Sequence, residues 1–212
     1  MIRYRRRYWV LAATLSAIAG FVDAIAFIQL GGFFVSFMSG NLTRLGVGLA
    51  SDIHAARLAG GLIAMFVCGV ILGAFANRNA SKAGALRVLA LVATALAIAG
   101  LAAGMNTPSV AIAALALAMG AENAVFQRDG EISIGVTYMT GALVRFGQKL
   151  ANAFMGGPKL DWAPYLLLWT GLVIGAVLGA LAFSSFGISG VWFAVAAICA
   201  VAIALWRMPE QT

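Results

Sequence analysis

The sequence predicts an all-α polytopic membrane protein. Six transmembrane helices form two inverted three-helix repeats, each with a glycine-broken re-entrant segment. Three observations predict this. First, the 212 residues are 63% hydrophobic and 10% charged, with a mean hydropathy of +0.98. Soluble domains carry about 25% charged residues, so the solvent for this surface is lipid. Second, the chain contains six runs of about 20 apolar residues, the length a helix needs to cross a bilayer. Third, one pattern occurs twice, 101 positions apart.

In order, the runs fall at 9–29, 58–77, 86–104, 108–127, 165–183 and 188–206. Each must be helical, because lipid cannot satisfy open backbone groups. Trp9, Trp162, Trp169 and Trp206 lie near run ends, where amphipathic rings prefer the interface. The basic start through Arg7, followed by an apolar run, has the outline of a secretion signal. The first run aligns with the fourth, so it is read as a retained helix. The whole chain, 1–212, is then a single integral domain with repeats at 8–105 and 106–207.

The first copy of the pattern runs from Phe37-Met38-Ser39-Gly40-Asn41-Leu42-Thr43-Arg44 through Gly46 to Ala50. The second runs from Tyr138-Met139-Thr140-Gly141-Ala142-Leu143-Val144-Arg145 through Gly147 to Ala151. Beyond it, Gly69 and Gly73 align with Gly171 and Gly175, and Asp23 with Glu122, the two acids at the same depth in their runs. Duplicated halves are a common architecture of transporters. Three spans per half invert the second half, so the two motifs face opposite sides. If each motif were a full crossing, there would be eight spans and parallel halves. That arrangement would move Arg78, Lys82 and Arg87 to the outside.

With the N-terminus in the cytoplasm, Arg3, Arg5, Arg6, Arg7, Arg78, Lys82, Arg87, Arg128, Arg145, Lys149, Lys159 and Arg207 lie inside. Arg44 and Arg57 lie outside. Twelve of the 14 basic residues therefore fall on one side, as the positive-inside rule requires. The net charge of +7 is explained by topology and needs no nucleic-acid partner.

Ser39 and Thr140 suit the N-cap positions of the two motif helices, with Gly40 and Gly141 beside them. A helix start directed into the membrane offers free N–H groups and a positive dipole end. Two such starts from opposite faces would build a polar site near the midplane. The glycines alone also serve close helix packing.

The stretch Gly20-Phe21-Val22-Asp23-Ala24, followed by Phe37-Met38-Ser39-Gly40-Asn41-Leu42-Thr43, resembles the YoaK family of bacterial membrane proteins. Leu42 stands where that family often has threonine. The resemblance implies six spans over about the length of this chain, in the bacterial inner membrane, and leaves the substrate open.

A carboxylate within a span costs roughly 2.5–3.5 kcal/mol on insertion scales. Such a group usually faces an interior cavity. Asp23 and Glu122 are therefore candidate pathway residues, with Asn41 and Asn123 beside them. Arg44 and Arg145 are the matched cations, giving the expected pairs Asp23–Arg44 and Glu122–Arg145. These pairs pin each motif to its helix, contact a solute or relay protons. The Gly-x-x-x-Gly faces, including Gly100 and Gly104, pack within the chain or build a homodimer. Cys68 and Cys199 read as small core residues, and His54 as a boundary residue that cannot form a zinc site alone.

The expected activity is that of a small inner-membrane transporter or permease for a small solute, with proton coupling as one option. Both termini are expected in the cytoplasm, and the bilayer and the solute are the expected partners. A membrane enzyme is not expected, because no H-E-x-x-H, G-x-S-x-G, P-loop or dinucleotide fingerprint occurs. No metal or cofactor is expected either. The alternative is a structural or regulatory membrane subunit that transports nothing.

Overall fold

Asp52 and Ser81 show how the chain is punctuated. Asp52 Oδ1 accepts the N–H groups of His54 and Ala55 at 3.0 and 3.2 Å. Ser81 Oγ accepts the N–H of Gly84 at 3.0 Å. Each satisfies orphan donors at a helix start. A computed structural model describes residues 6–128, 131–132 and 135–208. Arg3 and Arg5, counted above on the basic side, lie outside the described residues.

Eight α-helices are described: α1 (Arg6–Gln29), α2 (Met38–Ser51), α3 (Ile53–Ala76), α4 (Lys82–Gly104), α5 (Pro108–Glu122), α6 (Met139–Phe154), α7 (Ala163–Phe186) and α8 (Val191–Arg207). Five apolar segments are long enough to cross a membrane. The last, Ala163–Arg207, is 45 residues long and contains both α7 and α8. It is broken at Gly187, whose φ of 57° ends α7 and which opens a 3-10 turn to Gly190. All six predicted runs thus lie on helices. The all-helical expectation holds for the fold class, and two small features join the helices. A 3-10 turn, Asn123–Phe126, extends α5, and a two-residue antiparallel ladder follows, pairing β1 (Gln127–Arg128) with β2 (Glu131–Ile132).

The motif segments form helices of their own. α2 has 14 residues and α6 has 16. At 1.5 Å per residue they are about 21 and 24 Å long, short of a bilayer core of about 30 Å.

Side-chain contacts fix the helix directions. Trp9 meets Tyr165 edge-on at 5.7 Å, near the starts of α1 and α7. Gly171, Gly175 and Gly179 then lie in turn on the backbone of Ala13, Ala17 and Phe21. α1 and α7 are therefore parallel and in backbone contact. Gly69 on Leu117 and Gly73 on Ala121 make α3 and α5 parallel in the same way. α4 and α8 are antiparallel. Lys82, at the start of α4, donates to the carbonyls of Trp206, at 2.8 Å, and Met208, at the end of α8. Gly100, late in α4, lies under the ring of Trp192 at the start of α8. Gly190 approaches Ile25, so α8 starts where α1 ends. Residues 77–81 and 105–107 are the short links that reverse the chain on either side of α4. Hence α1, α4 and α7 run one way, and α3, α5 and α8 the other.

The core lies between these layers. Leu15, Val22 and Ile25 of α1, Leu89 and Leu96 of α4, Leu115 and Met119 of α5 and Ile198 of α8 are fully buried. Cys68 and Cys199, expected in the core, are exposed on the outer faces of α3 and α8. The glycine faces expected to serve either internal packing or a homodimer are used internally at Gly69, Gly73, Gly171, Gly175 and Gly179.

Candidate functional site

α1 ends at Gln29, and the chain turns at Gly31 and Gly32, whose φ values are 62° and 103°. The loop then comes back along α1 to Asp23, six residues before the helix end. Asp23 Oδ1 accepts the N–H groups of Val35 at 2.7 Å and Ser36 at 2.9 Å. Ser36 Oγ donates to Asp23 Oδ2 at 2.8 Å. Asp23 therefore holds the loop from which α2 begins.

Asn41, on the first turns of α2, closes the same loop from the other side. Its Oδ1 accepts the Phe34 N–H at 3.0 Å, and its Nδ2 donates to the Phe34 carbonyl at 2.6 Å. It is fully buried. Gly40 lies against the rings of Phe34 and Phe37, where a Cβ would approach to 2.7 Å. Arg44 lies 4.6 Å above the Phe33 ring, a cation–π contact, with its guanidinium over Gly32. The structure thus brings Asp23, Gly40, Asn41 and Arg44 to one loop. The expected ion pair Asp23–Arg44 does not form, because the loop backbone occupies the carboxylate and an aromatic face takes the cation.

The second half repeats the device with different chemistry. Thr137 Oγ1 donates to Asn123 Oδ1 at 2.8 Å. Asn123 Nδ2 donates to the Met119 carbonyl at 3.0 Å. Asp23 thus corresponds to Asn123, and not to Glu122 as the alignment suggested. The packing register agrees. Gly20 lies on the Leu172 backbone and Gly120 on that of Phe66. Gly175 lies on Ala17, and Gly69 on Leu117. The glycine pairs Gly69–Gly171 and Gly73–Gly175 of the alignment become Gly69–Gly175 and Gly73–Gly179. The stretch from Asn123 to Thr137 is one residue longer than that from Asp23 to Ser36, which an ungapped alignment could not register.

Glu122 is fully buried, and neither carboxyl oxygen has a hydrogen-bond partner. The expected pair Glu122–Arg145 does not form, and Arg145 is exposed on α6. Lys149 instead ties α6 to the segment before α7 through Asp161, at 3.7 Å. Ser39 and Thr140 are not the N-caps. Phe37 and Tyr138 hold those positions, with no side-chain cap, and both hydroxyl residues are exposed one position inside their helices. The first N–H of each helix turns back onto the loop, from Met38 to Ser36 O at 3.1 Å and from Met139 to Thr137 O at 3.0 Å. Gly141 has nothing within 4 Å of a Cβ position.

Four participants escaped sequence reading: Ser16, Ser36, Asn77 and Thr137. Ser36 and Thr137 carried a signal, since Val35-Ser36 and Val136-Thr137 extend the repeat upstream of the motif. Ser16 donates to the Leu168 carbonyl at 3.0 Å and lies 3.9 Å from Met139 Sδ. The start of α6 is thereby placed beside the middle of α1.

Long apolar helices packed through glycines define a multi-pass helical membrane protein. The chain belongs to the DUF1275 family, described as proteins of unknown function, whose model matches residues 11–204. This agrees with the YoaK-type resemblance of the motif. The chain is 35% identical over 206 residues to the UPF0700 transmembrane protein RA0705 of Rhizobium meliloti (strain 1021). That alignment covers 95% of this chain and 87% of the relative. No solved structure matches the chain.

Proposed function

We propose that the protein is a small inner-membrane permease for a small solute, coupled to protons. It is built from two inverted halves of three spans, each with a re-entrant motif helix. The observation that carries this reading is the antiparallel packing of α4 on α8, the third long helix of each half. The exchanged pairs α1–α7 and α3–α5 support it, since each joins the first helix of one half to the second of the other. Inverted repeats that meet at a central interface are a recurring transporter plan.

Two further observations support re-entrant motifs. α2 starts from a loop held at Asp23, about 9 Å along α1 from its end at 1.5 Å per residue. α6 starts beside Ser16, near the middle of α1. Non-helical backbone at such depth is tolerated where it is buried or lines a cavity. In this reading Ser39, Gly40, Thr140 and Gly141 present the helix starts to the solute path, and Arg44 and Arg145 attract it. Both termini are cytoplasmic by the distribution of basic residues.

Sided cysteine labelling in intact cells tests the architecture. Cys68 and Cys199 are replaced by Ala, since both are exposed. Single cysteines then replace Ser51 and Asn152, exposed residues at matched positions in α2 and α6. The expected result is that Ser51→Cys labels from outside and Asn152→Cys only after permeabilisation. Labelling of both from one side would overturn the inverted plan. Solute uptake into liposomes containing the purified protein tests transport itself.

A further inference from the structure

Among the described residues, three buried side-chain atoms have no hydrogen-bond partner: Oδ1 of Asn77 and both carboxyl oxygens of Glu122. All three are oxygens, and they gather at one end of α5. Asn77 follows α3, and its Nδ2 donates to the carbonyl of Ala124, two residues beyond Glu122, at 2.8 Å. Gly84 of α4 lies so close to Asn77 Oδ1 that a Cβ has no room there. Gly73 presses on Ala121 and Ala124 from α3. Helix α3 therefore closes over this end of α5 at backbone distance, and α4 closes over Asn77.

Among the described side chains, no cation reaches the carboxyl group. Arg78, after α3, is exposed. On α4, Lys82 donates to the end of α8, and Arg87, also exposed, bonds its own helix at Ala83. On α1, Asp23 is occupied by its loop. Arg128 and Glu131, in the ladder beyond the turn, are the remaining charged residues at this end by sequence. A buried ionised carboxylate left unpaired costs several kcal/mol.

We propose that Glu122 is a proton-binding site, held as the neutral acid in the resting protein, and that Asp23 is not one. The distinction rests on partners. The ionised form of Asp23 is satisfied by two N–H groups and a hydroxyl, whereas the two Glu122 oxygens find no donor among the described residues. A proton converts one of those acceptors into a donor, and Asn77 Oδ1 is an orphan acceptor at the same end. A dehydrated metal cation would need more oxygens than these three, since Ca²⁺ takes 6–8 ligands. The site belongs to the second half alone. Its counterpart one residue before Asp23 is Val22, which is fully buried and cannot titrate. A coupling role for this proton rests on the permease reading above; its presence does not.

A hydrophobic carbodiimide, which modifies carboxyl groups in their neutral form, tests this on the full chain in lipid. The site of modification is mapped by mass spectrometry. The expected result is modification of Glu122, loss of it as pH is raised, and none at Asp23. Sodium at constant pH should not protect. Absence of modification at Glu122 at any pH, or preferential modification of Asp23, overturns the proposal. Protection by sodium overturns it in favour of a metal-cation site. Infrared spectroscopy gives a second reading, in which the neutral carboxyl C=O band is lost in Glu122→Gln and kept in Asp23→Asn. If these results hold and no solute flux is found, the permease reading fails and the proton site stands.

Discussion

Thr137 donates its hydroxyl hydrogen to Asn123 at 2.8 Å, and the same bond recurs in the first half between Ser36 and Asp23. One half anchors its loop with a charge and the other with a neutral amide. A carboxylate is therefore dispensable for the bond itself. What the carboxylate adds is a second and third acceptor site, which the Val35 and Ser36 N–H groups fill.

Replacing Asp23 by Asn should keep the fold. The amide oxygen still accepts the two N–H groups, while the charge-assisted part is lost. The expected cost is about 1–2 kcal/mol, within the range for hydrogen bonds to charged groups. Asp23→Ala leaves the Val35 and Ser36 N–H groups without an acceptor. Its cost should be about 3–4 kcal/mol, since each unsatisfied buried group costs about 1–3. Thermal unfolding in detergent checks the order. Equal loss in the two variants would mean that the side chain's volume, and not its acceptors, holds the loop.

The glycines divide into two classes that sequence alone does not separate. Gly69 and Gly175 lie on the backbone of Leu117 and Ala17, where no flexible side chain can yield. An added methyl must push the helices apart. Gly46 and Gly147, the second glycine of each motif, have nothing within 4 Å of a Cβ position. Gly69→Ala and Gly175→Ala should each cost about 1–3 kcal/mol, as overpacking does. Gly46→Ala and Gly147→Ala should be neutral or stabilising by up to about 1 kcal/mol, from helix propensity. Unfolding midpoints of the four variants test this. Clear destabilisation by Gly46→Ala or Gly147→Ala would place a neighbour on those faces.

The helices were legible because apolar run length is a direct consequence of bilayer thickness, and each run falls on a helix. The repeat was legible through its motif, but its register was not. The spacing from Asp23 to Ser36 is one residue shorter than that from Asn123 to Thr137, so an ungapped offset of 101 for the motif cannot hold for Asp23 and Asn123. Counting depth from the run starts at Trp9 and Pro108 instead matched Asp23 with Glu122 and made the two acids look equivalent. The role of Asn41 was also hidden. Its partner in the second motif is Ala142, and only the folded loop shows that Asn41 bonds the Phe34 peptide at both ends. The N-caps were misassigned because Ser39 and Thr140 have favourable propensity, while the loop carbonyls of Ser36 and Thr137 accept the first helix N–H groups. Side-chain preference lost to a tight backbone turn at each helix start.

The matched charges of the motif and first helix suggested an ion pair, and the structure separates them. Asp23 is bound to Val35 and Ser36, while Arg44 lies over Phe33 and Gly32. A double-mutant cycle distinguishes the two arrangements. In an ion pair, Asp23→Asn and Arg44→Gln would each remove the same interaction, and the double variant would be less destabilised than the sum. With separate partners the effects should add to within about 0.5 kcal/mol, the usual limit for uncoupled sites. Arg44→Gln alone should cost about 0.5–2 kcal/mol through the lost cation–π contact. Replacing Phe33 by Leu should remove most of that sensitivity, because the ring is the partner of Arg44. A coupling energy well above 0.5 kcal/mol between Asp23 and Arg44 would restore the ion pair and contradict the loop geometry.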